Sequence, residues 1–248
     1  MRRLAALLLV VLVPATAACE VHTTVAVDVA DDGSGTVEVA VGLDAAALER
    51  LPDLDGDGAS DAADLAALVR SDDLAAAGWT VAEPDAADDG TTWLRATRAF
   101  GTPAEATEIL VAVTGPDGPL RDLRVTRSAS FGRVEYGFRG TADLRGGIEA
   151  FGDDGLAAAL EGEPLGEDEA AIEMRAGRPL AEAFTFEVRS RLAGDETTWT
   201  PALGDGPVEL VATSTVLDWP VLALAAVALV AGLVMVGLLV RALLSSRR

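Results

Sequence analysis

Apolar and polar side chains alternate along residues 21–30: Val21, Thr23, Val25, Val27 and Val29 fall on one side, His22, Thr24, Ala26 and Asp28 on the other. A period of two sets one row against a core and the other toward water, the pattern of a half-buried strand. Asp31, Asp32, Gly33, Ser34 and Gly35 supply a turn. Residues 36–42 resume the alternation with Val37, Val39 and Val41 in phase, so a hairpin is predicted. Residues 44–51 are helical in composition, and an Asp/Gly loop over 53–60 leads to a second helix over 61–77, stopped by Gly78. Trp79, Thr80 and Val81 open a strand, and 91–100 is another. Pro103 begins a short helix reaching Leu110. Residues 122–130 and 133–141 alternate around Phe131 and Gly132 as a second hairpin. A helix is expected near 156–160, an acidic loop over 161–169, and closing strands over 184–192 and 207–216. No linker or repeat divides this region. It reads as one α+β domain, an antiparallel, barrel-like sheet of six to eight strands with inserted helices.

The pattern changes at both ends. Trp219 to Val240 is an unbroken apolar run of 22 residues. As a helix it measures about 33 Å, enough to cross a bilayer core. No side of it is polar, unlike a helix on the surface of a soluble core. Arg241, Arg247 and Arg248 follow without an acidic residue, which keeps that end cytoplasmic, and Trp219 marks the opposite interface. At the start, Arg2 and Arg3 precede ten apolar residues, Leu4 to Val13, too few to span a membrane and typical of a secretory signal. Residues 1–18 are therefore read as signal peptide, 19–216 as the extracytoplasmic domain, 217–240 as the transmembrane helix and 241–248 as the tail. Thr16, Ala17, Ala18 and Cys19 are similar to a bacterial lipobox, whose cysteine is lipidated; cleavage after Ala17 at an A-x-A site is the alternative. Cys19 is the only cysteine, so no intrachain disulfide exists.

Charge narrows the partners. Every one of the 19 cations is Arg; five lie outside the extracytoplasmic domain, whereas all 40 carboxylates lie between Glu20 and Asp218. Such a domain repels nucleic acid and favours cations or basic partners. The order of lipobox, Val-rich strand, Asp32-to-Gly35 turn, Val-rich strand, helices ending at Gly78 and Trp79, further strands and terminal span resembles the actinobacterial LppM-type envelope lipoproteins. That resemblance implies a curved α+β domain outside the membrane that binds envelope lipid or glycolipid, with no catalytic residues.

The side chains offer little for catalysis. His22 is the only histidine and sits on a strand's outward row, no lysine is present, and no carboxylate pair stands apart from the rest. The protein is expected not to be an enzyme. Trp79, Trp93, Tyr136 and Phe138 are candidate lining for a lipid cavity, or ordinary core. Arg124, within the basic run Arg121, Arg124, Arg127 and Arg133, is a candidate for holding an acidic headgroup, or a solvated surface cation.

The sharpest motif runs from Asp53 to Asp64 and resembles an EF-hand or dockerin calcium loop. Asp53, Asp55 and Asp57 occupy positions 1, 3 and 5, Gly58 the turn, Ala59 the backbone-carbonyl position, and Asp61 and Asp64 positions 9 and 12. Structural Ca²⁺ is one expectation; a loop whose Ser60 or Asp61 caps the next helix is the other. Two functions remain: binding of envelope lipid or glycolipid, or a calcium-stabilised surface module that recognises a protein.

Overall fold

The computed structural model describes residues 20–54, 56, 58–68, 71–115, 118–147, 173 and 179–245. The signal peptide, Cys19, the expected helix near 156–160 and the acidic loop over 161–169 lie outside the described residues.

Among the described residues the strands form two sheets, not the single sheet expected. The first hairpin is as predicted: β1 (Val21–Val29) pairs antiparallel with β2 (Gly35–Leu43) in one unbroken register. Its turn is held by Asp32, whose carboxylate accepts from the Ser34 amide at 2.9 Å and hydroxyl at 2.6 Å. Three segments follow: α1 (Ala45–Leu48), α2 (Ala62–Leu68) and α3 (Ser71–Ala76), the last two lying within the helix expected over 61–77, of which residues 69 and 70 are outside the described residues. Gly78, at φ 84°, ends α3 as predicted: its amide reaches the Ala75 carbonyl, and the Trp79 amide reaches Leu74. The short strands β3 (Thr80–Val81) and β4 (Asp85–Ala86) both pair with β5 (Thr92–Phe100), which pairs with β2. On the other side of β1 lies β8 (Phe184–Leu192), in parallel, then β9 (Asp195–Trp199). The large sheet thus runs β3-β5-β2-β1-β8-β9, with β4 also on β5. Strand β9 was not anticipated; Asp195, Glu196 and Thr197 lack the apolar alternation that marks a strand.

The small sheet is β10 (Val208–Leu217), β7 (Arg133–Ala142) and β6 (Leu120–Ser130), all antiparallel. Its buried rows face those of the large sheet, and Tyr136, Phe138, Leu210, Val27, Val188 and Phe186 fill the space between. Helix α4 (Pro103–Thr114) closes one side of this sandwich with Ala106, Ile109 and Leu110. It also covers the free edge of β6, where the Thr107 hydroxyl accepts from the Val125 amide at 2.9 Å. Near the opposite side Ser214 of β10 donates to Asp195 of β9 at 2.8 Å. These closures give a barrel-like cross-section in which the two sheets remain separate. At the far end of β2, Leu43, Leu94, Ala47 and Leu65 form a smaller cluster beneath α1 and α2. The four residues of α5 (Leu180–Ala183) lead into β8.

Strand β10 passes directly into α6 (Trp219–Ser245). Trp219–Leu239 is long and apolar enough to span a membrane, and none of that stretch is buried in the protein. With so little slack at either end, β1 and β10 are expected to run antiparallel with Val21 beside Val216. The structure overturns this. Ser214 contacts Asp195, which pairs with Leu192, and Leu192 pairs with Val29. Tyr136, opposite Ser214, donates its hydroxyl to the Asp31 carbonyl. The end of β10 therefore lies at the Val29 end of β1, and Val21 is about 26 Å away along the strand. The two strands belong to different sheets and run the same way. The reason is the parallel β1–β8 pairing, which the sequence did not suggest.

At the distal end the Asp143 amide donates to Pro119, and its carboxylate takes a forked contact from Arg145 at 2.9 and 2.6 Å. The hydrogen bond and charge of Arg145 hold the Asp143 carboxyl down, at about 2 against an ordinary 3.8. A depressed carboxylate stabilises the fold above its unfolded value and loses that contribution as pH falls through the folded one. Asp143→Asn should lower the urea midpoint above pH 3.8, and the gap to wild type should close between pH 3.8 and about 2.

Candidate functional site

The outer face of the small sheet carries an open cavity of about 780 Å³. It is organised by a bulge in β6. Between Arg121 and Arg124 the register shifts, so that Asp122 and Leu123 lie against the single residue Gly140. Residues three apart fall on opposite faces of a regular strand; the extra residue leaves both Arg121 and Arg124 exposed on the outer face. The bulge carries one local strain and one close approach. Asp122 takes a left-handed φ of 54°, a conformation Asp tolerates better than most residues. Leu123 folds over Gly140 so closely that a Cβ there would lie 2.5 Å from its Cδ2. Strain of this kind is characteristic of built sites.

Arg124 is paired directly across the ladder with Arg139, and both line the cavity. Like charges facing each other across two strands are unfavourable. The pairing is more notable in a chain so rich in carboxylates. Arg95, Arg145, Arg189 and Arg191 each hold an acidic partner, whereas Arg124 and Arg139 hold none among the described residues. Asp122 and Glu209 also line the cavity without closing on either guanidinium, joined by the hydroxyls of Thr107 and Thr141. Val111 and Pro207 give an apolar margin. Two fixed cations, two carboxylates and two hydroxyls around a small apolar patch can hold a polyhydroxylated ligand that carries negative charge.

The candidate ligand residues do not converge on one cavity. Arg124 is in the cavity just described. Tyr136 and Phe138 are buried between the sheets, the first bonded to Asp31 and Arg127, the second packed on Trp199 with ring centroids 5.7 Å apart. Trp79 packs against the same core. Trp93 lies on the outer face of the large sheet over Gly42, near His22 at 6.0 Å and Arg95 at 5.3 Å. The aromatics thus fill the core or the other sheet's surface. Arg127 turns to the Tyr136 hydroxyl at 3.2 Å, and Arg133 lies at the other end of the hairpin, so the basic run is divided. Arg139 was not singled out from the sequence, although the signal exists. Counting outward from Ser130 opposite Arg133 at constant register reaches Arg124 opposite Arg139.

In the Asp/Gly loop, Asp55 and Asp57 lie outside the described residues. The Asp53 carboxylate accepts from the Gly56 amide at 2.6 Å and from Gly58 at 3.0 Å. Asp61 accepts from Ala63 at 2.7 Å, capping α2. Asp64 is buried, and its two oxygens accept from the Leu54 and Asp61 amides at 2.6 and 3.0 Å. Position 12 of the motif is thereby turned to the backbone, away from the two-oxygen cation contact its place implies. Among the described residues no group of three or more His, Cys, Asp or Glu is placed to hold a metal.

No protein-family model, curated protein or solved structure matches the chain. The site therefore stands on its own geometry. Arg139→Gln relieves the facing charges and should raise stability by about 0.2–1 kcal/mol. Gly140→Ala should lower it through the clash with Leu123. Denaturant unfolding of the two variants checks both signs.

Proposed function

We propose that this protein is a non-catalytic cell-envelope component, anchored by α6, whose extracytoplasmic sandwich binds the acidic saccharide portion of an envelope glycolipid. The observation that carries this reading is the Arg124–Arg139 pair, two arginines directly opposite across the ladder in an open cavity, neither ion-paired with the Asp122 and Glu209 that also line it. Neighbouring cations repaid by a bound anion are a recurrent way to recognise phosphate or carboxylate. The cavity's position adds to it. From Arg133, opposite the last residue of β10, to Arg139 is about 20 Å along the strand, so an ordinary headgroup at the bilayer surface falls short. An extended glycan does not. His22, the only histidine, belongs to the other sheet, which is consistent with binding rather than catalysis. The resemblance to LppM-type lipoproteins supports the same class of ligand, with Cys19 as the proposed lipidation site. Arg241, Arg247 and Arg248, following the apolar run, support a cytoplasmic C-terminus.

Titrating the full chain in detergent micelles with phosphorylated, sulfated and neutral oligosaccharides tests the reading. Acidic sugars should bind, their neutral counterparts at least about tenfold more weakly, and Arg124→Gln or Arg139→Gln should each cost about tenfold or more. Acidic-sugar binding indifferent to both substitutions would place the ligand elsewhere.

The alternative is a calcium-stabilised module for a protein partner. It draws on the compact loop around Asp53, closed by Gly56 and Gly58 at φ 78° and 89°. If it holds, several millimolar Ca²⁺ should raise the melting temperature of wild type but not of Asp53→Ala. An equal response in both leaves the loop as a cap for α2.

A further inference from the structure

The hairpin between β6 and β7 ends in Phe131 and Gly132, and its tip is bound to the start of α6. The Asp218 amide donates to the Gly132 carbonyl at 3.1 Å, and Leu217 pairs with Arg133 in the sheet. Leu222, already in the apolar stretch, packs on Gly132 so tightly that a Cβ there would lie 2.5 Å from its Cδ2. The hairpin tip thus sits level with the first turn of the membrane helix. At that tip Phe131 is 77% exposed, and Trp219 beside it on the chain's path is 69% exposed. Both rings project from a domain whose other aromatics are largely packed. The hairpin also reaches past the sandwich: Tyr136 touches the Asp31 turn, while Arg133 lies about 10 Å further along the strand. The acidic turn at Asp31 and Asp32 is thereby kept clear of the level at which Phe131 sits. Arg133, exposed and without an ion pair among the described residues, is placed next to the tip.

We propose that the Phe131–Gly132 tip is a second membrane-inserting element, its ring buried at the boundary of headgroups and acyl chains beside α6, with Arg133 at the level of the lipid phosphates. The occupant of this exposed surface is the bilayer that α6 crosses, because the tip is continuous with the apolar helix through Gly132 and Leu222. An aromatic ring suits that boundary, and a neighbouring Arg suits the phosphates above it. Two points of attachment, one covalent and one inserted, stop the sandwich from swivelling about the strand-to-helix junction. They hold the Arg124–Arg139 cavity at a fixed height. The proposal rests on α6 being a membrane span, and its test separates the two.

Cys19→Ala removes the only cysteine, so a single nitroxide can be placed on the full chain reconstituted in phosphatidylcholine vesicles containing phosphatidylglycerol. Phe131→Cys reads the tip, Leu229→Cys the middle of the span, and Glu135→Cys the aqueous side of the hairpin. Ser130→Cys reads the tip with the ring retained. Collision with a water-soluble nickel chelate should be severalfold lower at 131 and 130 than at 135, and lowest at 229. Collision with oxygen should follow the reverse order. Labels at 131 and 130 as accessible to nickel as 135, with 229 protected, would overturn the inserted tip and leave the span intact. Accessibility at 229 as well would overturn both.

Discussion

The architecture depends on one junction without slack, where the β-ladder becomes the long apolar helix α6. Leu217 still pairs with Arg133, the next amide, Asp218, bonds to the hairpin at Gly132, and Leu222 closes the first helical turn onto the Asp218 carbonyl. Hydrogen bonding therefore passes from sheet to helix with no free residue between them. In hydrocarbon an unpaired backbone group is expensive, so a strand that feeds a span gains by handing its ladder directly to the helix. The consequence is geometric. Distance from α6 is measured along the small sheet, and each feature of the domain acquires a fixed level: the Phe131 tip nearest, then the acidic turn at Asp31, then the cavity, and the start of β1 farthest away.

This order bears on how the protein is attached. Val21 lies at the opposite end of the sandwich from α6, and the Asp44 amide binds Glu20 there. An acyl chain on Cys19, two residues earlier, would leave the domain at the end away from the helix. On the proposed reading α6 is the anchor that fixes orientation, and a second attachment at Cys19 is not needed to hold the chain in the bilayer.

The sandwich can support an unfavourable site because its core is well packed. Large residues such as Tyr136, Phe138 and Phe186 are almost wholly buried, and Thr107 of α4 answers the exposed edge of β6. Several other described arginines hold carboxylates: Arg191 bridges Asp28 and Glu196, and Arg189 meets Glu187. Against that background the bulge at Asp122 and the facing Arg124 and Arg139 are a local departure, small enough for the fold to carry and suited to a ligand that supplies the missing negative charge.

Much of the local structure is written in the chain. Period-two alternation placed both hairpins, Gly78 ended its helix, and the uninterrupted apolar run marked α6, because each signal is carried by neighbours in sequence. What the sequence left open depends on partners distant in the chain. Whether strands share a sheet, and in which direction, is settled by packing: β8 lies parallel to β1 across more than 150 residues, and that choice sends Val21 away from the membrane. The aromatics that composition offers equally to a cavity or a core went to the core because two sheets needed filling. Arg124 was visible as a charge. Only the pairing of β6 with β7, shifted by the bulge at Gly140, set Arg139 opposite it and turned two surface cations into a site.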